Sequence, residues 1–418
     1  MKAAILTIGD EILIGQTVNT NAAYIGAALT GIQIALSKCV SVGDNETEIL
    51  NEMKDLWDKY DIIIATGGLG PTHDDITKNC IVKFFNTELV RNEEVMSDIA
   101  AYFKKRERIM SPTNESQALV PKNADIIRNI KGTAPGIWIE RDKKIFVSLP
   151  GVPFEMREMI DSYIIPNLSA KFEKPDNVFK TTTLLTTGIP ESLLYERLGY
   201  LNGLLEGAKL AFLPSQFGVK MRITVYAKNE ETASNKLSEI EQRIRSLVGR
   251  YIYGKNEETL ETVVARLLLE RGLKIAVAES CTGGLISNLL TNISGSSAYF
   301  ERGAITYSNA AKVEVLKVDE DYLIQYGSVS YEVVRQMAEG AKATSGNDIG
   351  LAVTGIMGPT GATPNKPVGL VYIGICDDKV CAAKKFIFGD DRILNKERTA
   401  QAALEMLRRH LLGISYDE

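Results

Sequence analysis

Lys274-Ile275-Ala276-Val277-Ala278-Glu279-Ser280-Cys281-Thr282-Gly283-Gly284-Leu285-Ile286-Ser287-Asn288-Leu289-Leu290 is the stretch on which the chain turns. Lys274 to Ala278 leads through an apolar run to Glu279, the pattern of a short buried strand. Leu285, Ile286, Leu289 and Leu290 recur at helical spacing. The residues between them must form a tight strand-to-helix turn. That turn puts Ser280 and Cys281 at a helix start, beside free N–H groups and the positive helix end. Gly283 and Gly284 let another group approach the backbone closely. An acyl-transfer nucleophile needs such a setting, and a serine N-cap uses the same one. The stretch alone leaves both open. Cys281 is a further candidate, because helix N-termini lower thiol pKa and thiolates are the stronger nucleophiles.

Outward from this turn, Glu257 to Arg271 reads as an amphipathic helix closed by Gly272. Ala304 to Tyr307 reads as a strand, followed by a helix from about Ala311 that carries Lys312. Ser330 to Ala343 is helical, Ile349 to Val353 is a strand ending in Thr354-Gly355, and Val368 to Ile375 is another strand. Phe386 to Phe388 leads through Gly389-Asp390-Asp391-Arg392 into a final helix reaching Leu412. In a three-layer α/β domain these strand ends gather on one rim. Ser280 would then be the nucleophile. Lys312 would be its base, if low polarity or a nearby cation lowers its pKa. N–H groups around Gly283 or Thr354-Gly355 could hold an oxyanion. Arg392, at a helix start, suits a phosphate. Each has a plainer alternative: a solvated lysine, a surface arginine, an ordinary strand exit. Histidine narrows the choice of base, for there are only two, His73 and His410. His410, in the Arg-rich end of the last helix, reads as a surface residue.

At the front, Ala3 to Ile8, Ile32 to Val40, Asp61 to Ala65 and Phe146 to Leu149 read as strands. Helices are expected over Thr20 to Leu29, over Glu46 to Tyr60, from the His73-Asp74-Asp75-Ile76-Thr77-Lys78 segment and from Phe154. This alternation predicts a parallel sheet with both faces covered and ligands at the carboxyl ends of its strands. Asp10, Gly67-Gly68-Leu69-Gly70 and Asp74-Asp75 all fall there. A glycine-rich loop feeding a helix suits phosphate oxygens, and adjacent carboxylates suit a hard divalent cation bridging to a diphosphate. A plain βα turn with acids in the first helical turn is the simpler alternative.

Between the two lies a small α+β piece. Lys174-Pro175-Asp176-Asn177 is a linker signal. Phe179 to Thr187, Lys209 to Leu213 and Val219 to Ala227 read as strands, Pro190 to Leu198 and Glu230 to Leu247 as helices. The organisation expected is therefore 1–172, 173–253 and 254–418. The 418 residues suffice for two or three domains. A net charge of −5 gives no general attraction to nucleic acid or an anionic membrane. No apolar run approaches the roughly 20 residues of a membrane span. The first apolar run meets Asp10 and Glu11 at once, so it reads as a strand rather than a signal peptide. Five cysteines with no C-x-x-C pair point to reduced thiols in a cytoplasmic protein.

Three groups of residues carry a resemblance. Ile8-Gly9-Asp10-Glu11-Ile12-Leu13, Thr66 to Asp75 and Leu149-Pro150-Gly151-Val152-Pro153 resemble the molybdopterin-binding-type fold at the front of the CinA family. Ala278 to Gly284, Gly295-Ser296-Ser297, Thr306 to Lys312, Gly355-Ile356-Met357-Gly358-Pro359 and Gly389-Asp390-Asp391-Arg392 resemble its C-terminal domain. The middle piece occupies the position of that family's KH-like module, but Gly188-Ile189-Pro190-Glu191 lacks the G-x-x-G clamp of RNA-binding KH modules. Nucleic acid is therefore not expected as a partner, and a spacer or dimerisation role is. The resemblance implies α/β front and rear domains around an α+β middle.

It also implies two activities. The rear domain would hydrolyse the carboxamide of nicotinamide mononucleotide to nicotinate mononucleotide and ammonia, without a cofactor. The front domain would hydrolyse ADP-ribose to AMP and ribose 5-phosphate with a divalent ion (Mg, Mn or Co). A nucleotide-sensing scaffold, linked to competence or DNA damage and without turnover in front, is the alternative. By resemblance Ser280 attacks, Lys312 moves the proton, and Tyr307, Asn309 and Thr354 assist. Glu279, Gly283, Gly284, Gly355 and Arg392 would bind substrate behind, and Gly67, Gly68, Gly70, Asn114 and Gly151 in front. Asp10, Asp74 and Asp75 would hold the metal. A homodimer is expected. Met357 stands where the family commonly has alanine, which implies only local repacking.

Overall fold

The structure, a computed structural model, describes residues 1–73, 75–172 and 178–416. Asp74 and the whole expected linker, residues 174–177, lie outside the described residues. The chain forms two compact units, Met1–Asp176 and Asn177–Glu418.

The first unit is built on strands β1 (Lys2–Ile8), β2 (Ala35–Val42), β3 (Ile62–Thr66), β4 (Leu89–Arg91), β5 (Leu119–Pro121), β6 (Asp125–Ile127), β7 (Gly136–Arg141) and β8 (Lys144–Leu149). Six of them form one sheet in the order β2-β1-β3-β8-β7-β6, and β4 pairs with β5 apart from it. β2, β1, β3 and β8 run parallel, as expected from the alternation. β7 and β6 run antiparallel, so the sheet is mixed. The cause is local. Asp142 and Lys143 both take positive φ, the geometry of a two-residue hairpin turn, and fold β7 directly back onto β8. β3 is buried at every position because helices cover both faces of the sheet. Ile25, Leu29 and Met156 pack on one face, and Ile49, Leu56, Ile81 and Phe85 on the other.

The second unit holds two sheets. β9 (Val178–Thr186), β10 (Lys209–Ser215), β11 (Gly218–Ala227) and β12 (Ile252–Lys255) form an antiparallel sheet in the order β10-β11-β9-β12. β12 was not anticipated; at four residues it is too short for alternation to show. Helices Glu191–Leu198 and Glu230–Val248 bury Leu194, Ile240 and Ile244 against this sheet.

β13 (Ile275–Glu279), β14 (Phe300–Ile305), β15 (Ile349–Gly355), β16 (Leu370–Cys376) and β17 (Cys381–Ile387) form the second sheet, in the order β14-β13-β15-β16-β17. The first three are parallel and the last two antiparallel. β14 starts at Phe300, earlier than its sequence suggested, because its exposed polar residues hide it as an edge strand. Helix Tyr331–Ser345 covers one face through Val334, Met337 and Ala338. Helices Leu260–Arg271 and Arg392–Leu412 cover the other through Val264, Leu268, Leu404 and Leu407.

Two expectations are corrected here. Cys376 and Cys381 oppose each other across the β16–β17 hairpin and form a disulfide, so the five cysteines are not all free. Cys39, Cys80 and Cys281 are. His410 is not a plain surface residue: its ring sits between Asp377, at 3.1 Å, and the Tyr416 hydroxyl. Among the described residues no helix is long and apolar enough to cross a membrane.

Candidate functional sites

The turn after β13 is organised by Glu279. This carboxylate is fully buried. It accepts hydrogen bonds from the N–H groups of Gly284 (3.0 Å), Ile286 (3.1 Å) and Ser287 (2.8 Å). The hydroxyls of Thr282 and Ser287 donate to it as well, each at 2.6 Å. Helix Leu285–Thr291 therefore starts after Gly284, whose φ of 98° favours glycine, and it is capped from the preceding strand. This corrects three expectations. Ser280 is not the N-cap. The helix end is not free for an anion, since a buried carboxylate already answers its dipole. Glu279, placed among the substrate-binding residues, has both oxygens committed to the turn; it is a positioning residue.

Ser280 is thereby held at the end of β13 by its own N–H, which donates to Val353 O (3.2 Å). It is 8% exposed. Lys312 lies on helix Asn309–Leu316, whose N-cap Ser308 accepts from Ala311 N–H. The Lys312 Nζ is 3.2 Å from Ser280 Oγ, 2.7 Å from Thr306 O and 3.3 Å from Tyr307 O. No carboxylate is among these contacts. The lysine is 1% exposed, and burial pulls its pKa from the usual 10.5 down to about 8. A neutral amine has two N–H donors and one lone pair. Two carbonyls can take the donors and leave the lone pair to the serine hydroxyl. Thr306 is itself fixed by its N–H to Glu279 O (2.8 Å), so one strand end holds both halves of the pair.

Cys281 points into the core. Burial pushes its thiol up to about 12, which argues against it as the nucleophile. Tyr307 and Asn309 are exposed at the rim. Arg392, first residue of the final helix, donates to Gly358 O (2.8 Å) and lies 3.4 Å from the Tyr307 hydroxyl. Thr354 adjoins Val353 and donates to Ser328 O (2.9 Å), tying a neighbouring loop to β15. At Gly355 a Cβ would lie 2.8 Å from Leu370 O, so only glycine fits the strand exit. One residue escaped the sequence analysis. A Cβ placed on Gly283 would lie 3.7 Å from Lys396 Nζ. Lys396 stands one turn after Arg392, on the same helix face, and that i,i+4 spacing was the available signal.

In the first unit, a cleft of about 420 Å³ opens at the carboxyl ends of the parallel strands; Gly67, Gly68, Gly70, Gly151, Asp75 and Gln117 are among its lining. Gly67 (φ 105°) and Gly68 (φ 65°) admit no side chain. A Cβ would lie 2.0 Å from Ile8 O at the first and 2.1 Å from Thr77 Oγ1 at the second. The Gly151 carbonyl is held by the Asn21 amide at 2.7 Å.

The two described carboxylates of the expected set do not gather. Asp75 folds back on its own loop, accepting from Gly70 N–H (2.7 Å), Thr72 N–H (2.8 Å) and the Thr72 hydroxyl. Asp10 accepts from Asp44 N–H (3.1 Å) and does not line the cleft. Asn114 closes a local capping box with Ser111 and is likewise absent from the lining. Asp74 lies outside the described residues, among which no group of three or more acidic, His or Cys side chains could cage a metal. Two unanticipated groups stand near. Glu155 lines the cleft, and burial raises its carboxyl above the usual range. The Lys78 ammonium is lowered to about 8 by burial and lies 3.4 Å from the Gln117 carbonyl.

Residues 4–170 match the "Probable molybdopterin binding domain" model, 181–254 the CinA KH domain and 257–411 the CinA C-terminal domain. The molecule is thus a molybdopterin-binding-type α/β domain followed by a KH-like module and a CinA-type α/β domain. Over 99% of its length it is 45% identical to a provisionally named competence-damage inducible protein of Caldicellulosiruptor saccharolyticus, matched over 100% of that chain. A CinA-like protein of Chloroherpeton thalassium is 42% identical, with 98% of this chain and 99% of that one covered. One from Kosmotoga olearia is 41% identical, with 99% and 100% covered. The chain belongs to the CinA family.

Proposed function

We propose that the second unit is an amidohydrolase acting on nicotinamide mononucleotide. The observation that supports it most is the dry Ser280–Lys312 pair, in which a lysine with no acidic partner is held near neutrality beside a serine hydroxyl. Lys312 takes the Ser280 proton as Oγ bonds to the carboxamide carbon. N–H groups of the 281–283 turn or of Gly355 are the candidate donors to the developing oxyanion. The protonated lysine then delivers its proton to the departing nitrogen, and the C–N bond breaks to release ammonia. Water attacks the acyl-serine, Lys312 accepts its proton and returns it to Ser280, and nicotinate mononucleotide leaves. Arg392 and Lys396 supply the positive rim that a substrate phosphate needs. The choice of this substrate rests on the family resemblance.

The front cleft is proposed to bind ADP-ribose and hydrolyse it to AMP and ribose 5-phosphate. Glycine backbone would cradle the diphosphate; Glu11, Asp44, Asp75 and Glu155 are the acidic groups of the lining, and Lys78 stands close by at Gln117. The described part of the expected metal set does not fit a cage, so no step is assigned to an ion. A divalent cation coordinated chiefly by substrate oxygens and water needs only one or two carboxylates, and its requirement is a matter for assay. A nucleotide-sensing scaffold without turnover in front is the second reading, favoured by the commitment of Asp10 to the backbone at Asp44 and of Asp75 to its own loop. The whole molecule is proposed to act as a homodimer in the cytoplasm.

Ammonia release from nicotinamide mononucleotide tests the first proposal. Activity lost in Ser280→Ala and kept in Cys281→Ala supports it. Loss only in Cys281→Ala overturns the mechanism, and an inactive wild type overturns the activity. For the front cleft, ADP-ribose is supplied with Mg, Mn or Co, and binding without product leaves the scaffold reading.

A further inference from the structure

Within the second unit a cavity of about 550 Å³ lies between the KH-like sheet and the final helix. Its size falls in the ~300–1,000 Å³ range of small-molecule sites. The Ser215-Gln216-Phe217 hairpin tip closes one side and β17 the other. Phe386 and Phe388 lie nearly parallel there, with ring centroids 5.8 Å apart and planes at 17°. The final helix contributes Arg398, Gln401, Glu405 and Arg409, one helical stripe.

The charges on that stripe are unevenly matched. Glu405 accepts from Arg408 at 2.7 and 2.9 Å and from Arg409 at 2.7 Å. Arg409 also donates to Ser415 O at 3.0 Å, and Lys384 donates to Tyr416 O. The side chains of Arg398 and Gln401 are half-buried and have neither an ion pair nor a hydrogen bond among the described residues. A guanidinium drawn partly out of water gains most from an anion that replaces its hydration. Aromatic walls beside it suit a flat ring, stacked on them or edge-on to them.

We propose that this cavity binds a small aromatic anion of mononucleotide size, its ring against Phe386 and Phe388 and its charged group on Arg398. It is separate from both sites described above, and its argument does not depend on either proposed activity.

The probe is azido-adenosine monophosphate, photo-crosslinked to the full chain and mapped by peptide mass spectrometry. Saturable label on peptides carrying Ser215–Gly218, Phe386–Phe388 or Arg398–Arg409 is expected. AMP should compete, with adenosine and ribose 5-phosphate each at least about tenfold weaker, since each lacks one half of the recognition. Arg398→Gln, with its folding checked by thermal melt, should weaken labelling by about tenfold or more. No saturable label, label confined to Gly67–Asp75 or Ser280–Gly284, or unchanged labelling in folded Arg398→Gln overturns the proposal. Should that variant not fold, the peptide map on the wild type decides alone.

Discussion

The two rims use opposite means. At Ser280 the backbone is held by a buried carboxylate so that two side chains can meet, and one of them is tuned by the loss of water. In the front cleft the carboxylates hold loops so that glycine backbone can meet a ligand. On the functions proposed above, the first would move a proton and the second would surround an anion. Acids in a loop thus say little about metal or catalysis until their hydrogen bonds are counted. Glu279 and Asp75 are both chelated by backbone N–H groups, and both shape a turn.

The sharpest attack on this contrast is Lys312→Met. Ammonia release should fall by about 10³-fold or more, because the serine loses its base. The fold should gain. Lys312 releases its proton near 8 in the folded chain against 10.5 ordinarily, so between those values the unfolded chain binds the extra proton and stability rises with pH. Below about 8 the penalty is fully present; removing it should add roughly 2–4 kcal/mol at pH 7, read by denaturant unfolding. In the wild type, kcat/KM should climb through pH 8 and level off above it. A flat profile from pH 6 to 10 would sink the lysine base.

Glu279→Gln comes next. An amide brings N–H where only acceptors are wanted, so about 2–4 kcal/mol of stability should be lost, and ammonia release with it. If stability drops but activity survives, the turn is not what positions Ser280. Gly68→Val, forced to a φ of 65° and onto Thr77, should cost about 1–3 kcal/mol locally and abolish ADP-ribose binding by calorimetry. Ammonia release should change less than about twofold, because the change lies in the other compact unit. The smallest effect is expected from Lys396→Ala: KM for the mononucleotide up by about three- to tenfold with kcat held, as for loss of uniform binding.

Much of this was legible in the chain. The Ile275–Glu279 strand, the turn and Lys312 were marked by apolar runs and glycine punctuation, which are local signals. The pairing of Lys312 with Ser280 was inferable because histidine was scarce. What could not be read depends on partners distant in sequence or on exposure. β14 is an edge strand without alternation. β7 reverses because of two residues, Asp142 and Lys143, that take positive φ without being glycine. Glu279 looked like a ligand group because its five donors follow it in sequence, and only the turn's closure aims them back. Cys376 and Cys381 have four residues between them, and their pairing is visible only once Asp377–Val380 is known to be the turn.

The end of the final helix changes what counts as a part of this molecule. Arg408 is 2% exposed and donates a hydrogen bond from its guanidinium to Arg250 O at 2.8 Å, and Arg250 precedes the matched C-terminal domain. A border drawn by family resemblance therefore runs through a shared interior. Cutting the chain near residue 254 would leave Arg408 its ion pair with Glu405 but take away the Arg250 carbonyl and uncover a guanidinium that is buried in the whole chain. The seam that limited proteolysis or hydrogen exchange should respect is the one around residue 176, between the two compact units.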